Sequence, residues 1–172
     1  MTIPFLTSQV ARYVSILGFI VALFLGYQQL PPEVPVALTP SSETAATYSK
    51  DAIFYVTAGV MLISNVLFLW MGRLFPQLPD GFIKLPGAIK WMFYRKQLNS
   101  IIREWMNFGT AVVNVLLGSS IYILALINPA EALTETPTLM QFNWVLGAAT
   151  FLLVLWAVYI PLRLLLTSPV KD

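Results

Sequence analysis

MNFGTAVVNVLLGSSIYILALI, residues Met106 to Ile127, contains no Asp, Glu, Lys or Arg. As a helix rising about 1.5 Å per residue, a run of about 20 apolar residues crosses the roughly 30 Å hydrocarbon core of a bilayer. Three further runs of comparable length lie on either side of it: Val10 to Tyr27, Ala52 to Met71 and Phe142 to Leu166. Together they predict an all-α, polytopic integral membrane protein. Its four transmembrane helices fall at about 10–28, 52–72, 106–127 and 142–166, forming a single membrane domain over residues 1–172, with connecting segments 29–51, 73–105 and 128–141.

Composition points the same way. Hydrophobic residues make up 58% of the chain and charged residues 10%, against about 25% charged in soluble domains, and the mean hydropathy is +0.75. A net charge of +2 is too small for a nucleic-acid-binding stripe, so nucleic acid is not an expected partner. The chain has no Cys and no His. It therefore lacks disulfides, thiolate metal ligands, and the commonest metal ligand and general base. The first run is expected to stay in place as a helix rather than be removed as a secretory signal. Arg12 is its only early charge, and it ends in Gly26-Tyr27-Gln28-Gln29-Leu30-Pro31 without a small-residue cleavage pattern.

Basic residues near the ends of the runs set the expected orientation. The middle segment carries Arg73, Lys84, Lys90, Arg95, Lys96 and Arg103, the first loop only Lys50, and the third none. The middle segment and both termini are thus predicted to be cytoplasmic, in a multi-pass protein of the bacterial inner membrane. Tyr13, Trp70, Trp105 and Tyr159 would form an inner aromatic belt, and Tyr27 and Trp144 an outer one.

Segment 73–105 is long enough to have structure of its own. Pro86 suits a first helical position, and residues 88 to 105 show a helical period. At about 100° per residue, Trp91, Tyr94, Leu98, Ile101, Ile102 and Trp105 share one face, with Arg95, Lys96, Asn99 and Arg103 opposite and Lys90 as an exception. Two readings stay open. The segment can lie in the headgroup layer against anionic lipid, or it can extend the third membrane helix with its aromatic face packed on the other helices. In either case Trp91, Tyr94, Arg95, Lys96, Arg103 and Trp105 are the candidate surface for lipid headgroups or a protein partner.

The outer segment 29–51 is rich in Pro, Ser and Thr, and Pro31, Pro32 and Pro35 favour a partly extended strap over a helix. The segment 128–141 is short and acidic through Glu131 and Glu135, and reads as a connector. The run Tyr27-Gln28-Gln29-Leu30-Pro31-Pro32-Glu33-Val34-Pro35-Val36, followed by Tyr48-Ser49-Lys50 and then a membrane helix, resembles the N-terminal domain of unknown function in SdpI-type bacteriocin immunity proteins. In that family a Leu-Pro-x-x-[Ile/Val]-Pro-[Ile/Val] run ends the first helix and Ser-Lys opens the second. The corresponding positions are Leu30, Pro31, Val34, Pro35, Ser49 and Lys50. The resemblance covers about residues 10 to 72 and more loosely extends through Leu85, Pro86 and Trp91 to about 125. Where family members often carry a His or an aromatic after the last Pro-Val, this chain has Ala37-Leu38-Thr39-Pro40. The resemblance implies a bacterial inner-membrane protein with a protective or signal-transmitting role and no established chemistry.

Polar residues inside the apolar runs are the remaining pointers to function. Asn65 and Asn114 could line a solute path, but Asn more often hydrogen-bonds a neighbouring helix, and that packing reading is preferred. Gly109, Gly118 and Gly147-Ala148-Ala149 would let backbones approach, and Pro161 should kink or end the fourth helix, with Arg163 reaching toward headgroups. A serine nucleophile at Ser64, Ser119 or Ser120 would have no base beside it, and Glu33, Glu43, Asp51, Glu131 and Glu135 read as solvated charges of the outer loops. The sequence predicts no catalytic site, metal or cofactor. The leading expectation is a non-catalytic interaction protein of SdpI-like type, contacting the bilayer and either a membrane-active peptide or other membrane proteins. An accessory subunit of a larger membrane complex is the alternative, and a small-solute transporter or channel the third.

Overall fold

The computed structural model describes residues 3–36, 46–83, 87–130 and 139–169. Four long helices dominate it: α1 Ile3–Gln29, α2 Lys50–Leu74, α3 Arg95–Ile127 and α4 Asn143–Leu166. Each is long and apolar enough to cross a membrane. α1 and α3 begin well before the apolar runs they contain. Nothing in Arg95–Trp105 breaks a helix, and Pro4 sits in the first turn of α1, where its missing N–H costs nothing.

α3 is the hub: α1 packs along it most extensively and α2 and α4 also pack on it, while α1 meets α2 chiefly near the ribbon, where Phe24 and Tyr27 pack on Phe54. Contacts along α1 and α3 advance together, from Ser8 against Asn107, through Ser15 against Asn114, to Gly26 against Ile121, so the two helices are parallel. α2 and α4 run the other way, with Asn65 against Asn114 and Gly72 against Met106 on one side and Trp156 against Trp105 on the other. The bundle therefore has two distinct ends. One gathers Arg12, Arg73, Arg95, Lys96 and Arg103, and is here called the basic end.

Small residues set the helix spacing. A Cβ at Gly118 would touch Ala22 and Phe19 of α1 at 3.5 Å, and one at Gly26 would run into Ile121. A Cβ at Gly109 would lie 2.7 Å from Trp156 Nε1 and 2.8 Å from Phe68 Cε1, so α2 and α4 both close on α3 at that glycine. There the Trp105 and Trp156 rings stack at 4.8 Å with an interplanar angle of 15°. Trp105 Nε1 donates to the Trp156 carbonyl at 2.6 Å, and Trp156 Nε1 returns a bond to the Trp105 carbonyl at 3.0 Å. Trp105 is thus a clamp between α3 and α4 rather than a free docking residue. Pro161 does not end α4, which continues to Leu166.

At the opposite end the all-α expectation needs one correction. The strap contains β1 Glu33–Val36 and β2 Ala46–Ser49, paired antiparallel with Val34 opposite Tyr48 and Pro35 opposite Thr47. Alternation explains it: Val34 is fully buried with Leu30 against Ala125 of α3, while Glu33 and Pro35 face outward. In a two-stranded ribbon a proline can face away from the pairing edge. Residues 37–45 lie outside the described residues, as do Glu131 and Glu135 of the third connection and Lys84, Leu85 and Pro86.

The single amphipathic helix over 88–105 is also corrected. Ala88–Tyr94 is a 3-10 segment, and α3 begins at Arg95 after Tyr94 departs from helical geometry at φ −117°, ψ 47°. From Arg95 onward, the extension reading of this segment holds, with Leu98, Ile101 and Ile102 buried in a cluster with Trp91, Ile160 and Leu164. Packing against the end of α4 holds the preceding turn in the tighter helix and overrides its helical period.

Replacing Gly109 by Ala is expected to destabilise the protein by about 1–3 kcal/mol, because two rigid rings must move. Gly59→Ala, where a Cβ meets nothing within 4 Å, should gain up to about 1 kcal/mol from helix propensity. Thermal unfolding of both variants in detergent, followed by circular dichroism, checks the difference in sign.

Candidate functional site

The buried face of α3 carries Glu104, Asn107, Thr110 and Asn114, all 5% exposed or less. Their spacing puts them on one stripe of the helix. A polar group held away from water is costly unless bonded, so the partners of this stripe decide what it can do. Asn114 and Asn65 form a reciprocal amide pair: Asn65 Nδ2 donates to Asn114 Oδ1 at 2.7 Å and Asn114 Nδ2 to Asn65 Oδ1 at 3.4 Å. Asn114 Nδ2 also donates to Ser15 Oγ at 3.1 Å, and Asn65 Nδ2 to the Met61 carbonyl at 2.8 Å. Thr110 Oγ1 donates back to the Met106 carbonyl at 2.9 Å. Nearer the basic end, Asn107 Nδ2 donates to Ser8 Oγ at 3.2 Å and Asn107 Oδ1 accepts from Arg12 at 3.0 Å.

Glu104 is the one carboxylate on this face, 1% exposed, and it pairs with Arg163 of α4. Arg163 also donates to the Tyr159 hydroxyl at 2.5 Å, and Ser100 Oγ donates to Glu104 at 3.4 Å. Arg163 is therefore turned into the bundle, which corrects the expectation that it reaches for headgroups.

The segment leading into α3 is held by its own basic and aromatic side chains. Arg95 donates to Asp80 at 3.1 Å and to the carbonyls of Phe75 at 3.1 Å and Leu78 at 2.6 Å, clipping the turns Phe75–Gln77 and Asp80–Phe82 to the start of α3. Trp91 Nε1 donates to the Leu164 carbonyl and Lys90 to the Leu165 carbonyl, each at 3.0 Å. These are among the last carbonyls of α4, which have no donor within the helix. Gly87, at φ 77°, lets the backbone run against Leu164 and Leu165. Of the six residues proposed as a docking surface, Trp91, Arg95 and Trp105 are engaged internally, Tyr94 is half-buried, and Lys96 and Arg103 are exposed.

The motif residues of the strap divide between buried and exposed positions. Leu30 and Val34 are buried, Pro31 is half-buried and Pro35 exposed. Ser49 caps α2 by accepting from the Ala52 N–H at 3.1 Å, and Lys50 lies over the Tyr27 ring at 4.7 Å while Tyr27 donates to Asp51 at 2.7 Å. A groove of about 300 Å³ runs between α3 and α4 toward this end, lined by Val115, Ser119, Tyr122, Trp144, Ala148 and Leu152 among others, and it is mainly apolar.

Sequence reasoning singled out Asn65 and Asn114 but passed over Glu104, Arg12, Ser8 and Ser15. Extending the Asn107–Thr110–Asn114 stripe back by one turn would have found Glu104. Comparison with family models, curated proteins and solved structures finds no match for this chain.

Removing one member of the Glu104–Arg163 pair strands the other. Glu104→Gln or Arg163→Met should each cost about 3 kcal/mol, at the low end of buried pairs because Arg163 keeps 22% exposure. The double variant should be much less destabilised than the two single losses added. A double-mutant cycle measured by unfolding in detergent tests this coupling.

Proposed function

We propose that this chain is a non-catalytic, four-span protein of the bacterial inner membrane, with its basic end cytoplasmic, that works by contact with a peptide or protein partner in the manner of the SdpI-type immunity proteins it resembles. The carrying observation is the contrast between the polar seam and the outer helix faces. Ser8, Arg12, Ser15, Asn65, Asn107 and Asn114 bond to one another or to backbone, so the seam is occupied with holding the helices together. Outside it, α2 presents Tyr55, Leu62, Val66 and Trp70, and α4 presents Trp144, Phe151, Val154 and Leu165, all at least half exposed. Such faces suit lipid or another apolar helix.

The motif supports the SdpI-like reading because its residues do specific work in one place. Leu30 and Val34 plug the ribbon onto α3, and Ser49 with Lys50 starts α2. The accessory-subunit reading is favoured by the apolar groove between α3 and α4, which a neighbouring helix could fill. A conducting role is disfavoured, because Asn65 and Asn114 are engaged with each other, with Ser15 and with the Met61 carbonyl.

The test is affinity purification of the tagged chain from its native membrane in mild detergent, with the particle's mass and composition determined. Recovery of the chain alone or with copies of itself, together with peptide sensitivity of a strain lacking it, is the expected result. A reproducible, stoichiometric set of other subunits would move the assignment to an accessory component.

A further inference from the structure

A groove of about 240 Å³ opens between α1, α2 and α3 at the basic end. Each helix contributes one arginine to its lining: Arg12, Arg73 and Arg103. No Asp or Glu lines it, and among the described residues none of the three arginines forms an ion pair. The contrast with the other arginines is informative. Arg95 is matched by Asp80 and Arg163 by Glu104, whereas these three converge with no acid between them.

Arg12 is half-buried; it gives one N–H to Asn107, and its Nε is buried with no hydrogen-bond partner. Arg73 and Arg103 are exposed. Three like charges beside an apolar bundle repel one another, and the repulsion grows as local water is excluded. A counter-anion placed among them turns that cost into attraction. The guanidinium fork matches the oxygens of a phosphate in geometry as well as charge, and the three forks come from three different helices.

We propose that this groove binds a phosphate group carried by a lipid headgroup. Two features set the depth and the source. Tyr13, over whose ring Arg12 lies at 4.5 Å, and Trp70 are both more than half exposed beside the groove's arginines, as aromatic residues are at the headgroup level. On the groove's α2 wall, Leu69 continues along the helix into the exposed apolar face of Leu62 and Val66, where an acyl chain would lie. A headgroup held here would bridge α1, α2 and α3 at the end where α1 and α2 otherwise touch little.

The inference rests on the membrane reading above, and its test separates the two. Full-length protein in a non-ionic detergent is titrated with phosphatidylglycerol, with diacylglycerol of the same chains, and with inorganic phosphate, and bound species are counted by native mass spectrometry. Phosphatidylglycerol should bind in preference to diacylglycerol. Arg73→Gln and Arg103→Gln should each weaken it by about tenfold, the loss of one charge-assisted hydrogen-bonding group. Both side chains are exposed and, among the described residues, make no hydrogen bond or ion pair, so the fold should survive, as circular dichroism will show. Lys96→Gln makes the same charge change outside the groove and should leave binding unaltered.

Inorganic phosphate binding as tightly as the lipid, and weakened by the same two variants, would keep the site and assign it to the free anion. Equal binding of diacylglycerol, unchanged binding in Arg73→Gln and Arg103→Gln, or an equal loss in Lys96→Gln would overturn the proposal. A wild-type chain that stays monodisperse without detergent would instead break the membrane reading itself.

Discussion

Polar side chains shut away from water hold their positions only when neighbours complete their hydrogen bonds, and α3 carries Glu104, Asn107, Thr110 and Asn114 on one buried stripe. Thr110 is satisfied within its own helix; the other three draw on all the remaining helices. Ser8, Arg12 and Ser15 come from α1, Asn65 from α2 and Arg163 from α4. Individual hydrogen bonds between membrane helices are worth only about 0.6 kcal/mol on average. Their larger effect is on register. Rotating or sliding α1 by one residue would break the bonds of Asn107 to Ser8 and Arg12 and of Asn114 to Ser15 together, so the seam selects one arrangement from many that apolar packing alone would accept.

Close approach makes the seam possible. Gly26, Gly109 and Gly118 bring backbones near enough for short side chains such as Ser8, Ser15 and Asn65 to reach α3. At Gly109 the same closeness admits the stacked Trp105–Trp156 pair, whose two indole N–H groups are each spent on the opposite backbone. The connecting segments then fasten the ends. Leu30 and Val34 seat the ribbon at one, and Arg95, Lys90 and Trp91 tie the turns and the C-terminus of α4 at the other. What stays outward-facing is apolar along α2 and α4 and cationic around Arg73, Lys96 and Arg103.

The long apolar runs made the four helices readable in the sequence, because a stretch such as Met106 to Ile127, long and without a charged residue, satisfies its own backbone as a helix. The extended character of the strap was readable from Pro31, Pro32 and Pro35. Pairing of Val34 with Tyr48 was not, since it depends on where the ends of α1 and α2 sit. Helical periodicity over 88–105 located the correct buried face, yet Trp91 and Lys90 reach α4 across more than 70 positions and draw the chain into a 3-10 turn instead. Glu104 escaped notice for a similar reason. A lone carboxylate at the edge of an apolar run looks like a solvated charge until α4 brings Arg163 to it. Asn65 and Asn114 were recognised as a packing signal, but only the fold shows that they are each other's partner.

A direct measurement tests whether the ribbon and the basic end of this four-helix bundle lie on opposite sides of a membrane. The chain has no cysteine, so single replacements give an unambiguous label. Tyr48→Cys on the ribbon and Lys96→Cys at the basic end, each expressed in intact cells, would be treated with a membrane-impermeant maleimide before and after permeabilisation. Labelling is expected at position 48 in intact cells and at position 96 only after permeabilisation. Labelling of both positions from the same side would contradict that arrangement.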